Sequence, residues 1–172
     1  MRKLILVISI LSSIKCYSQQ NVQSEKDEIM KVFTTYMNCI INKDSLTFCN
    51  LFELDSVSFY GVNAQESYME FIKKYPKAQL ILKDNYRKFI RFVANSKEKA
   101  EEKYNNVTIW NDNTIATLFF NYSFWIGGKE TNWGIETWQL LFNGKEWKIM
   151  SALFSANDEH ITPDSTQKKG LK

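Results

Sequence analysis

The stretch 115-IATLFFNYSFWIGGKETNWGIETWQLLFNGKEWKIMSALFS-155 decides the fold, because two glycine-bearing turns divide it into three long apolar runs. Ile115 to Ile126 ends at Gly127-Gly128, Trp133 to Phe142 ends at Asn143-Gly144, and Trp147 to Ser155 closes the series. Gly-Gly and Asn-Gly supply the positive φ that two-residue primed turns require, so both connections are expected to be tight hairpins. A fourth strand, Tyr104 to Trp110, precedes them and turns at Asn111-Asp112-Asn113. A four-stranded antiparallel meander this apolar cannot stand bare to water, so upstream segments must cover it.

Those upstream segments read mainly as helices. Ser24 is placed to cap a helix whose first turn carries Glu25, Asp27 and Glu28, and Ile29, Phe33, Tyr36 and Ile40 recur at i, i+4, i+7 and i+11 to make one apolar face. The helix is expected to reach about Asn42, with a short second helix from Asp44 to about Phe52 and a first strand from Val57 to Val62. Residues 65–75 fit either a helix or an edge strand, and Pro76 ends them in both cases. Asp84 can cap a further helix carrying Tyr86, Phe89, Ile90 and Val93. Ser96 to Lys103 is charged and reads as the link from helix to sheet.

The ends read differently. Arg2 and Lys3 precede an apolar run, Leu4 to Leu11, with Cys16 and Ser18 at the small-residue positions of a cleavage site, so residues 1–18 are expected to be a signal peptide and the chain secreted or periplasmic. The alternatives are an uncleaved anchor, for which the apolar run is too short to span a bilayer, or a lipid attached at Cys16, which Lys15 disfavours. No membrane span is expected after cleavage. Residues 24–155 form the domain, and 156–172 read as a flexible tail. The full chain has 22 basic and 19 acidic residues, but Arg2, Lys3 and Lys15 leave with the leader, which balances the rest at 19 against 19. Without a basic stripe, nucleic acid is not an expected partner. Cys39 and Cys49 lie close enough in sequence for a bridge in an oxidising compartment, and equally fit as small buried hydrophobes, the preferred reading.

Helices first, then a strand, a helix and a long meander: this order resembles the nuclear-transport-factor-2-like superfamily, which includes the SnoaL-like polyketide cyclases, and suggests a secreted bacterial-type member. The residues carrying the likeness are Trp133-Gly134-Ile135-Glu136-Thr137-Trp138-Gln139-Leu140, Asn143-Gly144-Lys145-Glu146-Trp147-Lys148-Ile149 and Phe154-Ser155. The resemblance implies an α+β fold in which a cone-shaped, curved antiparallel sheet, covered by N-terminal and middle helices, encloses a pocket. It says little about function, because the fold hosts enzymes, carriers and assembly domains. Active members often carry a His six residues after the last-strand Trp; here that position is Leu153, and the single His of the chain is His160. Metal sites built on histidine are therefore not expected, no Cys-x-x-Cys replaces them, and no cofactor is expected.

Period-two alternation places Glu136, Trp138, Leu140 and Phe142 on one face of their strand, expected to be concave. Ala116, Leu118, Phe120, Tyr122 and Phe124 on the central strand, and Trp147, Ile149, Ser151 and Leu153 on the last, are expected to share it. Glu136 is then a carboxylate among aromatics, whose pKa desolvation raises toward neutrality, as general acids and bases require. The competing reading is a solvated Glu136, or one paired with a base such as Arg87. Asp55 is the second acid candidate, against a role as a turn residue. Tyr36, Tyr60, Tyr122, Trp138 and Ser151 are candidate ligand contacts, with Trp125 and Trp133 as further stacking surfaces. No phosphate loop or nucleophile elbow is present. The expected function is binding of a small, mostly apolar molecule. The alternatives are a pocket enzyme of isomerase, cyclase or hydrolase type, using Glu136 or Asp55 as acid/base, and a structural dimerisation or accessory domain. An outer sheet face showing Phe119, Trp125, Leu141, Met150 and Phe154 is expected to make a homodimer.

Overall fold

A computed structural model describes residues 24–158. Residues 1–23, which include the expected signal peptide, and residues 159–172 of the expected tail, with His160, lie outside the described residues. Residues 24–42 are helical (α1), followed by α2 (Ser45–Asn50), β1 (Ser58–Asn63), α3 (Gln65–Lys74), β2 (Ile81–Lys83), α4 (Tyr86–Asn95), β3 (Ala100–Asn111), β4 (Ile115–Ile126), β5 (Lys129–Phe142) and β6 (Trp147–Asp158). The architecture is α+β: a six-stranded curved sheet in the order β2-β1-β6-β5-β4-β3, with helices over one face. All neighbours are antiparallel except β1 and β6, which run parallel.

The hairpin at Gly127-Gly128 forms as its composition dictates: both glycines have positive φ (58° and 80°), and Ile126 pairs directly with Lys129. The second connection differs from expectation. Phe142 pairs with Trp147 across a four-residue loop, in which only Gly144 has positive φ (89°) and the Asn143 side chain accepts from the Lys145 and Glu146 amides. An Asx turn thus replaces the two-residue primed turn. Residues 65–75 resolve to helix, α3, ending before Pro76. Asn85, not Asp84, caps α4, its side chain accepting from the Arg87 amide at 2.9 Å. Strand β6 runs on through Asp158, so Ala156 to Asp158 belong to the sheet rather than to a tail; the Ala64 amide donates to the Ala156 carbonyl at 2.8 Å.

The core lies between α1, α4 and the inner sheet face. Ile29, Phe33, Tyr36 and Ile40 are all buried, the face that the sequence spacing predicts. Phe33 meets the rings of Tyr104, Phe120 and Trp138 at 4.7, 4.9 and 5.4 Å, so one side chain ties α1 to three consecutive strands. From the other side, Tyr86 at the start of α4 stacks on Phe52 at 3.9 Å.

Ala116, Leu118, Phe120, Tyr122 and Phe124 face inward as alternation predicts, as do Glu136, Trp138 and Leu140, whereas Phe142 at the strand end is exposed. The assignment fails on β6. Gln139 pairs with Ser151 and Leu140 with Ile149, so Met150 is an extra residue on β6 and the alternation inverts beyond it. Ser151 and Leu153 therefore leave the inner face, and Ala152, Phe154 and Ala156 occupy it. On the outer face Phe119, Ile135, Leu153 and Tyr60 are exposed. Trp125 is capped instead by Lys103, whose Nζ lies 3.6 Å from the ring centre.

Candidate functional site

A half-open cavity of about 230 Å³ lies between α1, α4 and the inner sheet face. Phe59 of β1, Phe89 of α4, Phe124 of β4 and Phe154 of β6 form its wall, with successive rings 5.7 to 6.0 Å apart. Phe154 takes its place because β1 offers Gly61 opposite it: a Cβ at Gly61 would come within 2.6 Å of the Phe154 ring. Phe92 and Asp84, both exposed, stand at the mouth.

The floor is polar. Tyr36 of α1, Glu102 of β3, Tyr122 of β4 and Glu136 of β5 converge there, each at least nine-tenths buried. The pairing explains the convergence. Glu102 lies opposite Phe124 and Glu136 opposite Phe120, so the two carboxyl groups flank Tyr122 from the strands on either side of β4. Tyr122 donates to the Ser155 carbonyl at 2.8 Å, passing over β5 at Gly134, the residue opposite Tyr122. A Cβ at Gly134 would sit 2.1 Å from that same carbonyl oxygen, so the bond depends on glycine.

Burial governs the electrostatics. Glu136 accepts from Trp138 Nε1 at 2.5 Å, which favours its ionised form, but desolvation outweighs this and pushes its pKa up to about 7. Glu102 is pushed well above the usual carboxylate range, first by burial and then by the charge of Glu136, and its Oε1 has no hydrogen-bond partner among the described residues. The same burial and the two carboxyl groups raise the Tyr36 and Tyr122 phenols far above their ordinary values. At neutral pH the floor therefore offers a Glu136 poised between its two states, beside a Glu102 whose ionisation burial disfavours and two neutral phenols. Among the described residues no lysine, arginine or histidine lines the cavity, and no group of three or more histidine, cysteine or acidic side chains is placed to hold a metal ion.

Of the residues singled out from the sequence, Glu136, Tyr36 and Tyr122 come together here. Trp138 sits one step further inside, fully buried against Tyr36 and Phe120, and acts on the site through its indole N–H. Trp125 and Trp133 do not line the cavity either. Tyr60 faces outward, because β1 turns Phe59 and Gly61 inward, and Ser151 is on the outer face beside Gln139. Asp55 is exposed, outside this cavity, and pairs with Arg87, the base considered as a partner for Glu136. The residue missed is Glu102. Its signal was its spacing from Tyr104: Ala100, Glu102 and Tyr104 continue one alternating face of β3, under the charged run Lys97 to Lys99.

No known family model matches the chain, and no curated protein matches it in sequence. Solved structures do resemble it. An NTF2-like protein with a cystatin-like fold from Novosphingobium aromaticivorans superposes with a TM-score of 0.59 at 8% identity, covering 91% of this chain and 94% of that one. An NTF2-like protein of unknown function from Pseudomonas putida gives 0.58 at 12%, covering 81% and 93%, and one from Shewanella baltica gives 0.55 at 14%, covering 79% and 96%. At such identities the likeness is one of fold: this chain has the nuclear-transport-factor-2-like, or NTF2-like, fold.

Proposed function

We propose that this protein binds a small, mostly apolar molecule with a polar group in the cavity, and that it does so outside the cytoplasm. The observation that carries the reading is the combination of an aromatic wall with a buried carboxyl floor in which Glu102 Oε1 has no hydrogen-bond partner among the described residues. Stability alone gives no reason for such a floor, since a buried polar group without a partner costs about 1–3 kcal/mol. A ligand that brings the missing partner turns that cost into affinity and specificity. At about 230 Å³ the cavity is smaller than the ~300–1,000 Å³ pockets that take drug-sized ligands, so the occupant is a compact molecule. The extracytoplasmic part of the reading is supported by Arg2-Lys3 and the apolar run Leu4 to Leu11.

A second reading is favoured by one specific observation, two buried carboxyl groups on one cavity floor, Glu102 with its ionisation disfavoured by burial and Glu136 titrating at about 7. Such a pair can donate a proton at one point of a bound molecule and accept one at another. Amide chemical-shift mapping with a set of compact apolar fragments tests the binding reading. Shifts centred on Phe59, Phe89, Tyr122 and Phe154 are expected; fragments that leave these signals unmoved contradict it. Turnover of a bound molecule that Glu136→Gln abolishes without loss of binding would establish the second reading over simple binding.

A further inference from the structure

We propose that the cavity takes a small organic ammonium ion, held by its ring of aromatic faces and its carboxyl floor; this rests on reading the cavity as a binding site. Three acidic side chains line it, Glu102 and Glu136 at the floor and Asp84 at the mouth, and no basic side chain among the described residues faces them. Three of the basic groups on the flanking elements are engaged elsewhere: Arg87 with Asp55, Arg91 Nε with the Arg87 carbonyl, and Lys103 over the Trp125 ring. The wall is made of the rings of Phe59, Phe89, Phe124 and Phe154, and aromatic rings attract cations through the negative quadrupole potential of their faces.

Independently of the acidic cluster, Glu102 is only 6% exposed and its Oε1 lacks any hydrogen-bond partner among the described residues. The floor thus leaves a buried carboxyl oxygen open to a donor that a ligand can bring. An anion would meet Asp84 at the mouth and the ionised fraction of Glu136 at the floor. A neutral ligand can donate to the floor but brings no countercharge to the ionised Glu136. An ammonium ion brings both, with its alkyl or aryl part against the rings.

The inference carries a pH signature. The groups facing Glu136 are Tyr36 from α1, Asp84 from the segment before α4, Glu102 from β3, Tyr122 from β4 and Trp138 on its own strand. Burial disfavours the ionised form of both carboxyl groups, so a cation that needs a carboxylate displaces a proton, and its affinity rises as pH climbs through about 7.

Calorimetric titration of the full chain tests this with two matched pairs: choline against 3,3-dimethylbutan-1-ol, its uncharged isostere, and 2-phenylethylammonium against 2-phenylethanol. Each cation is expected to bind at least tenfold more tightly than its neutral partner at pH 8, with the advantage shrinking at pH 5.5. Glu136→Gln is expected to bring the ratio close to one, and Glu102→Gln to reduce it. Neutral partners that bind as well as the cations overturn the ammonium assignment and leave the cavity a binding site. A tenfold preference that persists unchanged in both Gln variants also overturns it, because the cation is then held elsewhere. If neither pair binds while other neutral fragments do, the ammonium assignment alone falls; if nothing binds, the binding reading falls with it.

Discussion

Trp138 Nε1 donates to Glu136 Oε1 at 2.5 Å, two residues along the same inward face of β5, and this bond opposes the burial that raises the carboxyl pKa. The indole stabilises the carboxylate; the surrounding rings destabilise it. A pKa of about 7 is the balance of the two.

The first consequence concerns stability against pH. The folded pKa of Glu136, about 7, lies above the unfolded value of roughly 4.3. Below the unfolded value the group is protonated in both states and costs nothing; the cost grows as pH rises and is complete above the folded value. Glu136→Gln keeps the shape and an acceptor for Trp138 while removing the charge. At pH 8 it is expected to stabilise the protein, by an amount on the order of 3 kcal/mol if the whole shift is recovered, and at pH 4 to change little. Thermal unfolding at both pH values checks this, and a neutral or destabilising effect at pH 8 contradicts it.

Removing the donor acts on the other side of the balance. Trp138→Phe takes away the bond that favours the ionised carboxyl, so the Glu136 pKa is expected to rise further. The substitution also leaves a void beside Tyr36 and Phe120, so stability falls for reasons unrelated to the charge. The carboxyl pKa, followed by carbon-13 NMR, separates the two effects. A pKa that falls, or does not move, shows that the indole bond has no part in setting it.

Gly134 and Tyr122 make a linked pair of tests. Tyr122→Phe removes the donor to the Ser155 carbonyl, and is expected to cost about 1–3 kcal/mol if that carbonyl is left without a partner. Gly134→Ala forces a methyl against the same oxygen and is expected to cost at least as much, about 1–3 kcal/mol or more from overpacking. The double variant should fall short of the sum, since both changes act on one contact. Full additivity in chemical denaturation would show that they do not share it.

Cys39 and Cys49 are both free thiols, Cys39 buried with its pKa pushed up to about 11, chiefly by burial, and Cys49 half-buried. Alkylation of the native protein is expected to label Cys49 well before Cys39, because the thiolate is the reactive form. A mass showing neither thiol available in denaturant before reduction would instead mean that the two are bridged.

How much of this was legible in the sequence depends on which residue is asked about. The turn at Gly127-Gly128 and the inward row from Ala116 to Phe124 follow from turn chemistry and alternation, and so does the burial of Glu136. The extra residue at Met150 was not legible, because a bulge leaves no composition signal, and it moved Ser151 out of the inner face and Phe154 into the cavity. Tyr60 and Phe59 are adjacent aromatics in an alternating run, and only the pairing of β1 with β6 chooses which one faces inward. Glu102 was hidden by its neighbours: Lys97, Glu98, Lys99 and Glu101 read as a solvated link, yet the strand starts at Ala100 and carries Glu102 into the core.

The central claim is that two carboxyl groups are held dry at the floor of a ligand cavity. Carbon-13 NMR titration of the Glu102 and Glu136 side-chain carboxyls in the full chain tests it most directly. The expected result is a Glu136 midpoint at about 7 and a Glu102 midpoint raised well above the usual carboxylate range, both shifting when a cavity ligand is added. Midpoints near the unperturbed value of roughly 4.3 for both groups would mean that water reaches the floor, and would contradict the account.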